Sequence, residues 1–390
     1  MWMWAIGLSL PGPRVVDTSK FDARPLRTLF IRYERIGDMI MATGLIRVLA
    51  QASKSGNVDV VANPSTAPVL DGNPHVGKLF TLDRGSWASY LKLMRQLRAE
   101  RYDVIVDGRI NNPPIFASTP MLMLAAGAPY RIGVGGGNND LIYNVRVEGY
   151  DRSIPYIEGS KSLSLPFGVN SASVDWQPEI FLSDIERKAA ELYWSEAEAR
   201  VCKTNHNGIV PPNGQPLLTA RLLVNLSASE EKRRWQDAKF IEVLRKVREG
   251  APRLPIVVIG LPREWDRVKI VAESANVLAV PTPRLRDALA LVGTSDMVFT
   301  PDTSISHAAS AFRKPAVVLL KRDHYPYAPY NIPGENIFWD GSEIHDLGVN
   351  TVGSVVGRLV SQYGQRESGD EMMDHRSASV RRESDEHEGR

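Results

Sequence analysis

Short β-rich runs alternate with helix-length amphipathic segments twice along this chain, and that alternation limits the fold more than any other feature. Repeated strand–helix units return to the same sheet in parallel, so they build open parallel sheets with helices on both faces. In the first stretch, 28–33 (TLFIRY) reads as a strand. Residues 38–52 read as a helix presenting Ile40, Met41, Gly44, Leu45 and Val48. A strand at 58–62 follows, then a helix at 87–98 that carries Tyr90, Leu91, Met94 and Leu97 at i, i+1, i+4 and i+7, then a strand at 102–107. The second stretch has strands at 222–226, 255–259, 277–280, 296–300 and, last, 315–320. Helices at 238–247, 263–273, 285–292 and 304–312 lie between them, the first carrying Phe240, Val243, Leu244 and Val247 on one face.

Residues 134–215 are less regular, with a loop signal at 135–140 (GGGNND) and a helix at 183–199. The Pro211-Pro212-Asn213-Gly214 stretch marks the expected connection between lobes. A length of 390 residues suits two such domains. The expected fold class is therefore α/β, with two Rossmann-like, doubly wound lobes at 27–210 and 216–365. Residues 1–26 read as a flexible arm. The charged, nearly apolar-free stretch 366–390 reads as a disordered tail.

Charge and cysteine content exclude several functions. A formal net charge of +2, from 47 basic and 45 acidic residues, gives no reason to expect a nucleic-acid partner. The single cysteine, Cys202, cannot form an intramolecular disulfide or build a Cys-based zinc cluster. The scattered histidines suggest no metal site. The apolar start of the chain is far shorter than the ~20 residues of a membrane span and lacks a basic flank. Trp2 and Trp4 leave room for a peripheral membrane contact.

In open α/β sheets ligands bind beyond the carboxyl ends of the strands, so the residues just after each strand carry the functional reading. Three places stand out. After the opening strand comes Arg35-Ile36-Gly37-Asp38, where Asp38 is either a helix N-cap or a cleft carboxylate able to accept a proton. After the first strand of the second half, the loop from Ser227 through Lys232 to Trp235 offers hydroxyls and cations suited to a diphosphate, or is simply an exposed charged loop. After the strand at 296–300 comes Asp302-Thr303-Ser304-Ile305-Ser306-His307, polar residues opening a helix whose free amides suit phosphate. His307 is either packed in the core or part of that site.

Familiar alternatives are missing. No Gly-x-Gly-x-x-Gly follows the first strand, no P-loop sequence occurs and no Gly-x-Ser-x-Gly elbow occurs. The Asn225-Leu226-Ser227 glycosylation sequon falls in a strand expected to be buried.

Taken together these segments resemble glycosyltransferase family 9, the ADP-heptose:lipopolysaccharide heptosyltransferases. The stretch 29–43 (LFIRYERIGDMIMAT) is similar to the family's strand, Arg-x-Gly-Asp turn and first helix. Asn63-Pro64, Asn73-Pro74 and 127–133 (GAPYRIG) are similar to further family segments. Lys232-Arg233-Arg234-Trp235 is similar to the Lys-x-Trp loop, 260–264 (GLPRE) to the Gly-x-Pro-x-Glu turn, and 302–309 (DTSISHAA) to the Asp-Thr-Gly-x-x-His-x-Ala signature. The match runs in unbroken order from about residue 27 to 365.

The resemblance implies a GT-B fold with an interlobe active-site cleft, an acceptor-side first lobe and a second lobe that binds the nucleotide sugar. It implies an inverting, metal-independent transfer without a cofactor, from a nucleotide-sugar donor such as ADP-heptose to a lipid-linked glycan of the lipopolysaccharide core or a related acceptor. The expected setting is cytoplasmic, at the inner face of a bacterial inner membrane. Asp38 matches the catalytic base. Ser227 and Lys232 match donor-diphosphate contacts, and Glu264 matches the residue holding the donor ribose. Asp302, Thr303, Ser304 and His307 match the loop around the donor sugar and phosphates. The sequence departs from the pattern at Ser304, where the family has Gly, and at 321–325 (KRDHY), where Gly-Pro-Thr is common. A catalytically silent nucleotide- or glycan-binding protein and a GT-B epimerase are the rival readings.

Overall fold

The computed structural model describes residues 27–53, 55–83, 85–110, 118–136, 139–149, 151, 153–204, 220–228, 230–341 and 344–364. The expected arm, the charged tail, the 211–214 connection and the Asn111–Pro114 loop lie outside the described residues.

The first half folds as β1 (Thr28–Ile31), α1 (Ile36–Ala52), β2 (Val58–Ala62), β3 (Val76–Thr81), α2 (Trp87–Glu100), β4 (Val104–Asp107), α3 (Ser118–Ala126), β5 (Tyr130–Val134) and β6 (Val145–Val147). Its six strands are parallel in the order β3-β2-β1-β4-β5-β6. A short helix α4 (Tyr156–Ser160) and the long α5 (Asp184–Thr204) follow. The second half folds as β7 (Leu222–Asn225), α6 (Asp237–Gly250), β8 (Ile256–Ile259), α7 (Trp265–Ser274), β9 (Leu278–Ala279), α8 (Leu285–Thr294), β10 (Met297–Pro301), α9 (Ser304–Ala311), β11 (Ala316–Lys321), β12 (Gly334–Trp339) and α10 (Val349–Tyr363). Its sheet runs β12-β11-β10-β7-β8-β9, which repeats the strand order of the first sheet. Each sheet therefore has a topological switch point, between β1 and β4 and between β7 and β10, where the connections leave in opposite directions and open a crevice.

The central strands β1, β2, β4, β7, β8 and β10 are buried along their whole length. Helices on both faces explain why their sequences read as continuous apolar runs. The amphipathic α6 buries Phe240, Val243, Leu244 and Val247, the face its spacing indicates. By contrast α1 is buried almost all round, from Met39 to Ala50, because it lies between its own sheet and α9 of the other lobe. One apolar cluster runs from Phe30 and Met39 to Ile305 and Ala308, so the lobes share a core. Polar ties reinforce it. Gln177 donates to the carbonyls of Ser310 (2.7 Å) and Tyr330 (3.0 Å), and Arg286 donates to the carbonyl of Pro68 (3.1 Å).

Several expectations need correction. Asp38 is not the N-cap of α1: the helix starts two residues earlier, Arg35 occupies the cap, and Asp38 sits in the first turn. On α2 the buried positions are Leu93 and Leu97, while Leu91 is 52% exposed. The strand 315–320 is not the last, because β12 pairs beyond it. Strands β3, β5 and β12 carry glycine and charged residues, which weakened their β signal. Helix α5 packs on α8 of the second lobe, through Trp194 donating to Thr294 Oγ1 (2.9 Å) and Glu191 and Glu198 pairing with Arg221. The 211–214 connection lies outside the described residues, and from the packing of α5 we propose a crossing between lobes ahead of Asp184. Among the described residues no helix is long and apolar enough to cross a membrane.

Candidate active site

At the end of β1 the chain turns through Arg32–Arg35 into α1. Arg32 is 4% exposed. Its Nη1 donates to the carbonyl of Gly108 (2.7 Å) and to Tyr156 Oη (2.5 Å), and its Nη2 lies 3.3 Å from Asp38 Oδ2. Burial alone would lower the Arg32 pKa, but Tyr156, Asp38 and Glu34 outweigh it and raise it, so the guanidinium stays charged. The cation fixes one carboxylate oxygen of Asp38, and Oδ1 has no partner among the described residues. Asp38 is thus held on a rigid helix turn with acceptor capacity left for a hydroxyl proton.

From the other lobe, β10 delivers Asp302, Thr303 and Ser304 to the start of α9. Thr303 caps the helix, its Oγ1 accepting from the Ile305 amide (3.2 Å) and from Asn225 Nδ2 (3.2 Å). Asn225 is buried by this role, which agrees with a meaningless sequon. The Ile305 and Ser306 amides are taken up by Thr303, which leaves Ser304 and the positive end of the helix at the crevice, an arrangement that suits phosphate. His307, one turn in, is 6% exposed and packs against Gly37 of α1: a Cβ on Gly37 would stand 2.6 Å from His307 Cδ2. Burial lowers the His307 pKa, against the opposing pull of Asp302 and Asp38, so the ring is neutral near pH 7.

A cleft of about 1060 Å³ joins these parts, at the upper end of the range for small-molecule sites. Of the residues singled out from sequence, Asp38, Ser227, Asp302, Thr303, Ser304 and His307 line it together. Two do not. Lys232 is 58% exposed and does not line the cleft, though it pairs with Glu230 (3.1 Å), which does. Its neighbour Arg233 lines the cleft instead, pairing with Asp302 (3.5 Å) and Glu230 (3.2 Å). The signal was available: in Lys-x-Trp the basic residue lies two before Trp235, and that residue is Arg233. Glu264 lies buried just behind the wall. It takes a very short hydrogen bond from Ser227 Oγ and an ion pair from Arg234 (2.6 Å). Ser227 Oγ also accepts from the Leu261 amide (2.7 Å), so this hydroxyl braces the Gly260–Pro262 turn that lines the cleft.

Sequence reasoning did not find Arg32, His324 or Tyr327. Arg32 read as part of a strand, and the other two lie in a 3₁₀ turn, Arg322–Tyr327, with no periodic signal. Tyr327 stacks on Tyr156 across the lobes at 5.8 Å and 24°, and Tyr156 in turn lies under the Arg32 guanidinium.

Known proteins resemble this chain in sequence and fold. The chain is similar to lipopolysaccharide heptosyltransferase 3 of Escherichia coli K12, 22% identical over 332 residues covering 78% of this chain and 86% of that protein. It is similar to the lipopolysaccharide core heptosyltransferase OpsX of Haemophilus influenzae at 22% over 325 residues, 80% of this chain and 84% of that protein. Among solved structures, a family 9 glycosyltransferase from Veillonella parvula superposes with a TM-score of 0.70 at 17% identity, covering 86% of this chain and 98% of that one. The E. coli heptosyltransferase WaaC with ADP gives 0.62 at 15% identity, over 87% and 99%. The model of glycosyltransferase family 9 (heptosyltransferase) matches residues 90–331, well over half of the chain. The chain belongs to glycosyltransferase family 9, as a two-lobed GT-B glycosyltransferase.

Proposed function

We propose that the chain transfers heptose from ADP-heptose to a glycan of the lipopolysaccharide core, with inversion and without a metal ion. The observation that carries this reading is the meeting of Asp38 and the α9 N-terminus across one cleft, fixed by His307 against Gly37. Asp38 accepts the proton of an acceptor hydroxyl. The freed oxygen attacks the anomeric carbon as the bond to the diphosphate breaks, and the diphosphate leaves with the bonding electron pair. One displacement inverts that carbon. Arg233 and the first-turn amides of α9 neutralise the departing charge, which removes the need for a divalent cation. Ser304 lines the same stretch of the cleft. The relatives' names support heptose, ADP and the lipopolysaccharide core as substrate class. A lipid-linked acceptor would bring the chain to the cytoplasmic face of the membrane as a peripheral protein.

Melting curves with ADP, UDP, GDP and dTDP test the donor. A nucleotide at ~100 times its dissociation constant stabilises by about 2.7 kcal/mol. The expected result is a shift with ADP alone; a shift with another nucleotide and none with ADP refutes the ADP-heptose donor. Transfer assays in EDTA test metal independence, and the anomeric configuration of the product tests inversion.

A further inference from the structure

His324 sits at the cleft on the Arg322–Tyr327 turn, where the sequence departs from the family pattern. Its Nδ1 is 2.8 Å from Asp302 Oδ2, and its Nε2 is 3.2 Å from Arg233 Nη2. A carboxylate only accepts and a guanidinium only donates. These two partners therefore fix the ring as the neutral tautomer, with Nδ1–H donating to Asp302 and Nε2 accepting from Arg233. Arg233 Nη1 lies 3.5 Å from the same Asp302 oxygen, so the three side chains close a ring. All are largely buried, with side chains 11%, 11% and 22% exposed for Arg233, Asp302 and His324. The edge of His324 also meets the Tyr327 ring at 6.2 Å. Among the described residues its remaining ion-pair partner, Glu230, lies on its own loop.

We propose that His324 is a donor-side positioning residue, which holds the Arg233 guanidinium in the orientation that receives the donor's diphosphate. The inference rests on the reading of this cleft as a nucleotide-sugar site.

The test compares His324→Ala, His324→Gln and His324→Asn in the full chain by ADP binding, donor KM and kcat. Glutamine places an acceptor where Nε2 stands, and asparagine places a donor where Nδ1 stands. The Ala and Asn variants are expected to lose on the order of tenfold in ADP affinity and donor KM, with a smaller change in kcat. The Gln variant is expected to recover most of the loss. Melting curves without ligand check folding; should the Ala variant melt early, the Gln and Asn pair decides. Wild-type values in all three variants overturn the proposal while leaving the site reading intact, as does equal loss in Gln and Asn. Failure of the wild type to bind ADP, UDP, GDP or dTDP overturns the site reading, and the proposal with it.

Discussion

Gly37→Ala tests the packing that brings the two half-sites together. A Cβ at this position would lie 2.6 Å from His307 Cδ2, where ordinary contact begins at 3.4 Å. The ring must retreat by about 0.8 Å to reach that contact distance. His307 cannot swing away freely, because it is 6% exposed and the following Ala308 and Ala309 are 0% exposed. The whole α9 turn must shift instead. Overpacking of this kind costs about 1–3 kcal/mol, and the helix propensity of alanine returns at most ~1 kcal/mol. The expected net destabilisation is about 1–2 kcal/mol in denaturant unfolding. Displacing the α9 amides relative to Asp38 by this much should cost ~10- to 100-fold in kcat/KM. Gly357→Ala on α10 is the control: nothing lies within 4 Å of its Cβ, so it should be neutral or slightly stabilising. A Gly37→Ala variant as stable and active as the wild type would refute the close approach of His307.

Other perturbations separate the remaining parts. Arg233→Ala should weaken ADP binding more than about tenfold, while Lys232→Ala should change it less than about twofold; equal losses in calorimetric titration would place Lys232 in the site after all. Arg32→Met leaves Asp38 and Tyr156 without their buried cation, and a loss of about 3–5 kcal/mol is expected by urea unfolding, with no change counting against the network. Two pH effects have opposite partners but the same sign. The Arg286 hydrogen bonds hold the Glu186 carboxyl at about 2, so this pair stabilises fully above about 4.5 and the contribution is lost as pH falls toward 2. His307 is buried neutral with a lowered pKa, so the unfolded chain takes up the proton first and stability falls as pH drops below about 6.5. Glu186→Gln should flatten the first slope and His307→Gln the second, in unfolding curves taken across pH.

Much of the second lobe was legible because its strands are uninterrupted apolar runs and α6 shows a clean period, with Phe240, Val243, Leu244 and Val247 on its buried face. The first lobe was harder. One face of helix α1 marked it in sequence, but not that it is buried on nearly every side, and Gly44 is required where a Cβ would stand 2.5 Å from the Trp176 carbonyl oxygen. The edge strands β3 and β12 carry Lys78, Glu335 and Asn336 toward solvent and lack an apolar run. In the site, Asp38 and the 302–307 loop were visible because strand ends followed by helix starts have a sequence signature. Arg233 was one residue away from the expected cation, since a loop has no period to fix which side chain turns inward. His324 and Tyr327 come from a turn whose position only the folded chain determines. The helix α5 gave its length to sequence but not its lobe, which depends on long-range packing of Trp194 under Thr294 and Arg221.

Asp38→Asn is the most direct test of the central claim. The substitution keeps the shape and an oxygen for Arg32, and removes the proton acceptor together with the carboxylate charge. Transfer to a glycan acceptor should fall by about 10²- to 10⁴-fold in kcat, while the ADP-induced shift in melting temperature stays as in the wild type. A variant that transfers at near wild-type kcat would show that Asp38 is not the base, and the cleft would need another proton acceptor.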